Sequence, residues 1–192
     1  MYEPKNYDHL IGTQGFSDVM LKNHFTLYQG YVTNFNKLND TLVAIEKEGQ
    51  FGTPIFAELN RRFSWEFNGM RLHELYFDNM KKDGEPMTDG ELKKNIIAEW
   101  ESMEAWEKDF KAMGAMRGIG WVILYHDKEA KRLFNVWVNE HDVGHFAGCT
   151  PLLIMDVFEH AFMIDYGLKR ADYIASFWNA IDWSIVEKRF EE

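Results

Sequence analysis

The sequence predicts an α+β protein: an N-terminal antiparallel helical hairpin followed by a three-stranded antiparallel sheet with helices. Three observations carry this. Two long apolar seams of helical period fill the first half and are separated only by a short link. "GWVILYHDKEAKRLFNVWVN" then reads as two strands around a polar turn, Asp127 to Lys131. "PLLIMDV" is a third run of strand length, apolar throughout, and helical patterns flank the three strands.

The first helix starts behind Ser17, a hydroxyl N-cap, and stops at Gly49. Its seam is Leu21, His24, Tyr28, Tyr31, Phe35, Leu38, Leu42 and Ile45, in steps of three and four. The second opens at Thr53-Pro54, with proline in the first turn where its missing N–H costs nothing. Its seam is Phe56, Leu59, Phe63, Phe67, Met70, His73, Phe77 and Met80. A link this short makes the pair antiparallel. "KDGEPMTDG" closes the unit, so the expected division is residues 1–88 and 89–192. Thr88 with Glu91 has the spacing of a capping box and opens a helical stretch to about residue 115, broken near Ser102. After the strands, "ADYIASFWNAI" is helical, and a Ser184/Glu187 box is expected to open the last helix.

Composition narrows the function. The chain has 192 residues, 46% of them hydrophobic, with 7 Trp, 8 Tyr and 15 Phe, enough for a packed core. A formal charge of −10 without a Lys/Arg cluster argues against nucleic acid as a partner. No apolar run reaches the ~18 residues of a membrane span. "MYEPKNYDHL" has no basic segment followed by an apolar one, so no signal peptide is expected. Cys149 is the single cysteine, which excludes an intramolecular disulfide and suits a reducing cytoplasm.

Seven histidines remain, and they are not equivalent. His9 and His126 sit in polar surroundings and are expected in solvent. A lone histidine on an apolar seam is ordinarily a satisfied core residue. Here His24 and His73 occupy seams of two paired helices, and "DVFEHAF" places Asp156 and His160 in a third apolar run. Burying a carboxylate and an imidazole there costs several kcal/mol or so unless something pairs them. A metal ion would do so, and three imidazoles with one carboxylate suit Fe, Mn or Zn. His145, four residues after His141, reads as an outer or surface residue.

"DVFEHAF" also resembles the D-x-[W/F]-E-H-A-[F/Y] signature of the iron/manganese superoxide dismutases. "YVTNFN", "GIGW", "PLLIMDVFEHAFMIDYGLKRADYIASFWNAIDW" and "EKRF" resemble other segments of that family in the same order. The resemblance spans nearly the whole chain and implies the fold already read from the pattern. It implies His24, His73, Asp156 and His160 as ligands of one Fe or Mn, with superoxide as the substrate. It further implies Tyr31 as a catalytic residue at the substrate entrance, Trp121 in the site wall, and a homodimer or homotetramer in which Glu159 reaches the partner's metal-bound histidine. Two other readings compete: a metal-free scaffold of the same fold, and a hydrolytic metal centre. All four ligand positions are kept, against the first. Glu159 directly precedes His160, so no H-E-x-x-H helix supports the second.

Departures from the family pattern are informative. Aligned without a gap, Asn23 falls on the first ligand position, eight residues before Tyr31, whereas His24 stands seven before it. Seven residues are about two regular turns, while eight share a face only across a π-bulge. An unbulged helix with His24 as ligand is therefore expected. Leu27 and Tyr28 replace the family's second histidine, Met163 its cross-subunit tyrosine, and Phe158 its tryptophan. Gly69 cannot supply the glutamine many iron members place there. His141 stands where manganese members carry theirs, as a catalytic residue able to donate, accept or take a charge near neutral pH. With both patterns broken, either metal is expected to work, iron mildly favoured. Coupling each electron to a proton would keep the site's formal charge constant and attractive to superoxide. Arg170 is a candidate cation on the approach.

Overall fold

The computed structural model describes all 192 residues. Helix α1, Asp18–Lys47, is unbroken α-helix capped by Ser17, whose hydroxyl accepts from Met20 N–H. Helix α2, Pro54–Asp78, is capped by Thr53, which accepts from Phe56 N–H. The two pack as the expected antiparallel hairpin. Helices α3, Glu91–Trp100, and α4, Met103–Gly114, follow, with Ser102 capping α4 and Glu101 in a left-handed conformation at the break.

Strands β1, Gly120–Asp127, β2, Arg132–Asn139, and β3, Thr150–Asp156, form one antiparallel sheet in the order β2-β1-β3. The central strand β1 is buried from Gly120 to Tyr125, as a strand covered on both faces must be. At its start Gly120 has φ +146°, and a Cβ there would meet the Val138 carbonyl oxygen at 2.0 Å, so only glycine fits. Register then pairs Trp121 with Asp156, which stands both side chains on one face of the sheet. Helices α5, Met163–Tyr166, α6, Arg170–Asn179, and α7, Trp183–Glu191, complete the chain. One cluster of 40 buried residues runs through both halves.

Two helix starts differ from expectation. Helix α3 has Gly90 as its N-cap and no side-chain cap, because Thr88 Oγ1 instead donates to Glu187 Oε1 at 2.8 Å. That contact also takes Glu187 away from Ser184, and Asp182 caps α7 by accepting from Ser184 N–H. A long-range hydrogen bond has replaced two local ones. His126 is also not free in solvent: its ring lies 4.6 Å from that of Phe190, and burial lowers its pKa.

Asn79, fully buried at the end of α2, ties the halves together. Its amide donates to the Tyr76 and Ile154 carbonyls, and its oxygen accepts from Ile154 N–H and Arg189. Asn79→Ala strands several buried polar groups at once and is expected to cost about 2 kcal/mol. Urea unfolding checks this, and a change within about 0.5 kcal/mol, the range of ordinary surface substitutions, would refute it.

Candidate metal centre

Four elements each bring one donor to the same place: His24 from α1, His73 from α2, Asp156 from the end of β3, and His160 from a 3-10 turn, Glu159–Ala161. Their ligand atoms all lie within 4.8 Å of one another. Asp156 Oδ2 is 3.2 Å from His24 Nε2, 3.1 Å from His160 Nε2 and 3.6 Å from His73 Nε2. Nε2 atoms of His73 and His160 are 3.4 Å apart. Bonds of about 2.1 Å to a metal would separate donors by about 3.0 Å at a right angle and about 3.6 Å at 120°. The four separations from 3.1 to 3.6 Å fall on that scale.

Protons decide whether a cation fits. His73 Nδ1 lies 2.5 Å from the Gly69 carbonyl oxygen, which can only accept, so Nδ1 carries the hydrogen. His73 Nε2 therefore turns a lone pair toward a carboxylate and a second imidazole. Burial lowers the pKa of His24, and burial together with the charge of His24 lowers that of His73, so both rings are neutral donors. Burial alone would raise Asp156, but His160 and His24 outweigh it and hold the carboxyl well below the usual range. A His73 lone pair turned toward one carboxylate, with two further imidazoles against that carboxylate, is a poor protein interior and a good metal sphere. The donor set fits Fe or Mn.

Surroundings fix these donors. Asp156 Oδ1 accepts from Phe158 N–H at 2.8 Å, and its carbonyl accepts from Tyr173 Oη at 2.6 Å. Tyr76 Oη is 3.1 Å from Tyr173 Oη and, since the tyrosine's own proton goes to Asp156, donates to it. Neither tyrosine was marked by the sequence pattern, because on helices full of apolar residues their hydroxyls leave no trace in periodicity.

Asn23 faces solvent on α1 while His24 is buried, so it is His24 that joins the cluster. Tyr31 lies on the same inner face, its ring stacked on His73 with centroids 5.2 Å apart. Gly69 makes room for it, since a Cβ there would meet the Tyr31 ring at 2.5 Å. Tyr31 Oη is 2.8 Å from His141 Nε2, and Trp121 Nε1–H donates to His141 Nδ1 at 3.1 Å. An indole N–H only donates, so His141 Nδ1 accepts and its proton sits on Nε2, facing Tyr31. Burial, followed by the charge of Asp156, raises the pKa of Tyr31. Burial pushes His141 down to about 4. This corrects the expectation that His141 takes a charge near neutral pH: the ring is neutral there.

One further expectation changes, that for Arg170, while the fold also places Glu159 and Tyr28. Glu159 is exposed in the single chain, so its carboxylate carries no burial cost there. Arg170 does not line an approach; it donates to the Met116 and Gly118 carbonyls and lies over the Phe162 ring. Tyr28 is fully buried and donates to Glu74 Oε1, so it belongs to the core. Trp65 escaped sequence reading because polar residues flank it, yet its ring centroid is 4.6 Å from that of His141.

Known proteins are similar to this chain over most of its length. Residues 88–189 match the family described as iron/manganese superoxide dismutases, C-terminal domain. The manganese superoxide dismutase 2 of Haloferax volcanii is 34% identical over 174 residues, covering 91% of this chain and 86% of its own. The iron superoxide dismutase of Aquifex pyrophilus is 32% identical over 195 residues, 99% of this chain and 91% of its own. That of Cupriavidus metallidurans is 35% identical over 181 residues, with 92% and 89% covered. A shared pattern over nearly the full length, with three imidazoles and a carboxylate converging where the fold's two halves meet, leaves one conclusion: this chain belongs to the iron/manganese superoxide dismutase family.

Proposed function

We propose that the chain dismutates superoxide at one Fe or Mn held by His24, His73, Asp156 and His160. The observation that carries this is the lone pair of His73 Nε2 turned toward Asp156, at 3.6 Å, with its proton committed to Gly69. The metal, when bound, supplies a one-electron couple: one superoxide is oxidised to dioxygen, and the next is reduced and takes two protons to become hydrogen peroxide. The chain's own part is to bring those protons in and keep other water out. Neutral His141 donates from Nε2 to Tyr31 Oη, so the phenol keeps its own proton free to donate into the site. Tyr31, Trp121 and Phe158 form apolar walls, the last stacked on both His141 and His160. Purified protein loaded with Fe or Mn is expected to remove superoxide catalytically. Protein stripped by chelation is expected to lose this, and equal activity in both states would sink the metal assignment.

Tolerance of both metals, with iron mildly favoured, belongs to the same reading. It is supported by Gly69, whose missing side chain leaves no iron-type glutamine, and by His141 in place of the manganese-type one. Activity with one metal under about a hundredth of that with the other, a gap of roughly 2.7 kcal/mol, would end it. Assembly as at least a dimer around Glu159 and His160 is supported by exposed Met163 and Ile164 beside a His160 ring that is itself 27% exposed. On this reading Glu159, exposed in the single chain, bonds the partner subunit's metal-bound histidine once that face is covered. Light scattering that finds a fully active monomer would count against it. The match beginning at residue 88 supports a division into 1–88 and 89–192. A lone Cys149 supports a reducing, cytoplasmic setting. No helix is long and apolar enough to cross a membrane.

A further inference from the structure

We propose that Trp65 and His145 are positioning residues, two struts that hold the turn carrying His141 so that its ring meets Tyr31. The turn runs from Asn139 to Val143 and closes on itself through Asn139 N–H to Val143 O at 2.8 Å. Its first corner, Glu140, has φ +52°, a left-handed conformation that a non-glycine residue holds only when its surroundings over-determine it. From Asn139 to Gly144 only His141 is buried. A short exposed turn is thus made to drive one ring inward, and beyond the Asn139–Val143 pair and Glu140 N–H donating to Ile119 O at 3.3 Å no backbone bond in it aims that ring.

Two side-chain bonds from separate elements do. On the α2 side, Trp65 Nε1–H donates to Glu140 Oε2 at 3.0 Å, fastening the residue just before His141. The same indole packs against the His141 ring at 4.6 Å and the Tyr31 ring at 5.5 Å. Its own position is set by Arg62, whose guanidinium lies 3.6 Å from the indole centroid and pairs with Glu66. On the β1 side, His145 Nε2 is 2.8 Å from the His141 carbonyl oxygen. A carbonyl only accepts, so Nε2 carries the proton, and His145 Nδ1 accepts from Tyr125 Oη at 2.7 Å. Asn68 Nδ2, at 3.4 Å from the same Nε2, is then a contact and not a hydrogen bond. The side chain of Glu140, the residue before His141, is tied to α2, and the His141 carbonyl is tied through His145 to β1. What remains free is the ring, which Trp121 and Tyr31 receive on its two nitrogens.

The proposal rests on His141 as the partner of Tyr31 beside the metal site, so its readout is taken on metal-free protein. Trp65→Phe removes the indole N–H and keeps an aromatic face; His145→Phe removes both of its bonds. Glu140→Ala removes the acceptor from an exposed position, and Glu140→Gln restores one. Hydrogen exchange at the Trp121 indole N–H reports how often the His141 ring leaves its place, and isotope-labelled histidine reports the His141 tautomer. Trp65→Phe, His145→Phe and Glu140→Ala are expected to exchange about tenfold faster or more, with His141 no longer held as one tautomer. Glu140→Gln is expected to match wild type. If Trp65→Phe does not fold, the two Glu140 variants decide its strut, and like behaviour from both would overturn it. His145→Phe exchanging at the wild-type rate would overturn the other. Inactivity of metal-loaded wild type toward superoxide would sink the proposed function and leave these exchange results standing.

Discussion

His24→Ala is expected to release the metal and lower turnover by more than about a hundredfold, while Asn23→Ala leaves both within about twofold of wild type. The magnitude follows from what the two side chains touch. Losing an outer hydrogen-bond partner of a metal ligand commonly costs 10- to 100-fold or so, and losing a ligand must cost more. His24 is buried with Nε2 at 3.2 Å from Asp156 Oδ2, whereas Asn23 projects into solvent from the same helix. Alanine is the better helix former, so the Asn23 change should be neutral or slightly stabilising. Metal analysis of purified variants, with circular dichroism to confirm that each is folded, is the measurement. Metal lost from Asn23→Ala and kept by His24→Ala would require a shifted helix, with a bulge that α1 does not have.

That spacing is legible in the sequence alone, because a helix repeats on its own local rule. Seven residues from His24 to Tyr31 fix a shared face whatever lies elsewhere, and the seams of α1 and α2 and the caps at Ser17 and Thr53 are read in the same way. Asp156 and His160 were legible for a related reason: charged groups in an apolar run demand a partner. Long-range choices were not legible. Thr88 takes Glu187 across 99 residues in place of its local partner Glu91. Arg170 spends its donors on two carbonyls more than fifty positions away. The sharpest case is His141, whose residue type permits a charge near neutral pH and whose place does not. Only the strand pairing that brings Trp121 beside Asp156, together with burial, commits one nitrogen as an acceptor and keeps the ring neutral.

Metal-free protein is therefore expected to lose stability steeply as pH falls from about 6.5 to about 4. An unfolded chain titrates His141 near the ordinary histidine value, while in the fold burial holds it to about 4. Between those values the unfolded state binds a proton that the folded state refuses, so stability is full above the upper value and falls on the way down. A gap of roughly 2.5 units corresponds to about 3 kcal/mol at most from this one ring. His24 and His73 are lowered too and act with the same sign, which steepens the fall. Asp156 has its pKa depressed as a carboxylate, so its contribution persists through this window and is lost only at more acidic pH, below the ordinary carboxylate value. Urea unfolding of metal-free wild type and of His141→Gln, repeated across the window, separates the contributions. A glutamine cannot titrate, so the variant's stability should fall less over the same range, by up to about 3 kcal/mol, whatever its stability at neutral pH. Parallel curves for the two proteins would mean that His141 titrates alike in the folded and unfolded states. The hydrogen bonds from Trp121 and to Tyr31 would then not be holding a buried, neutral ring.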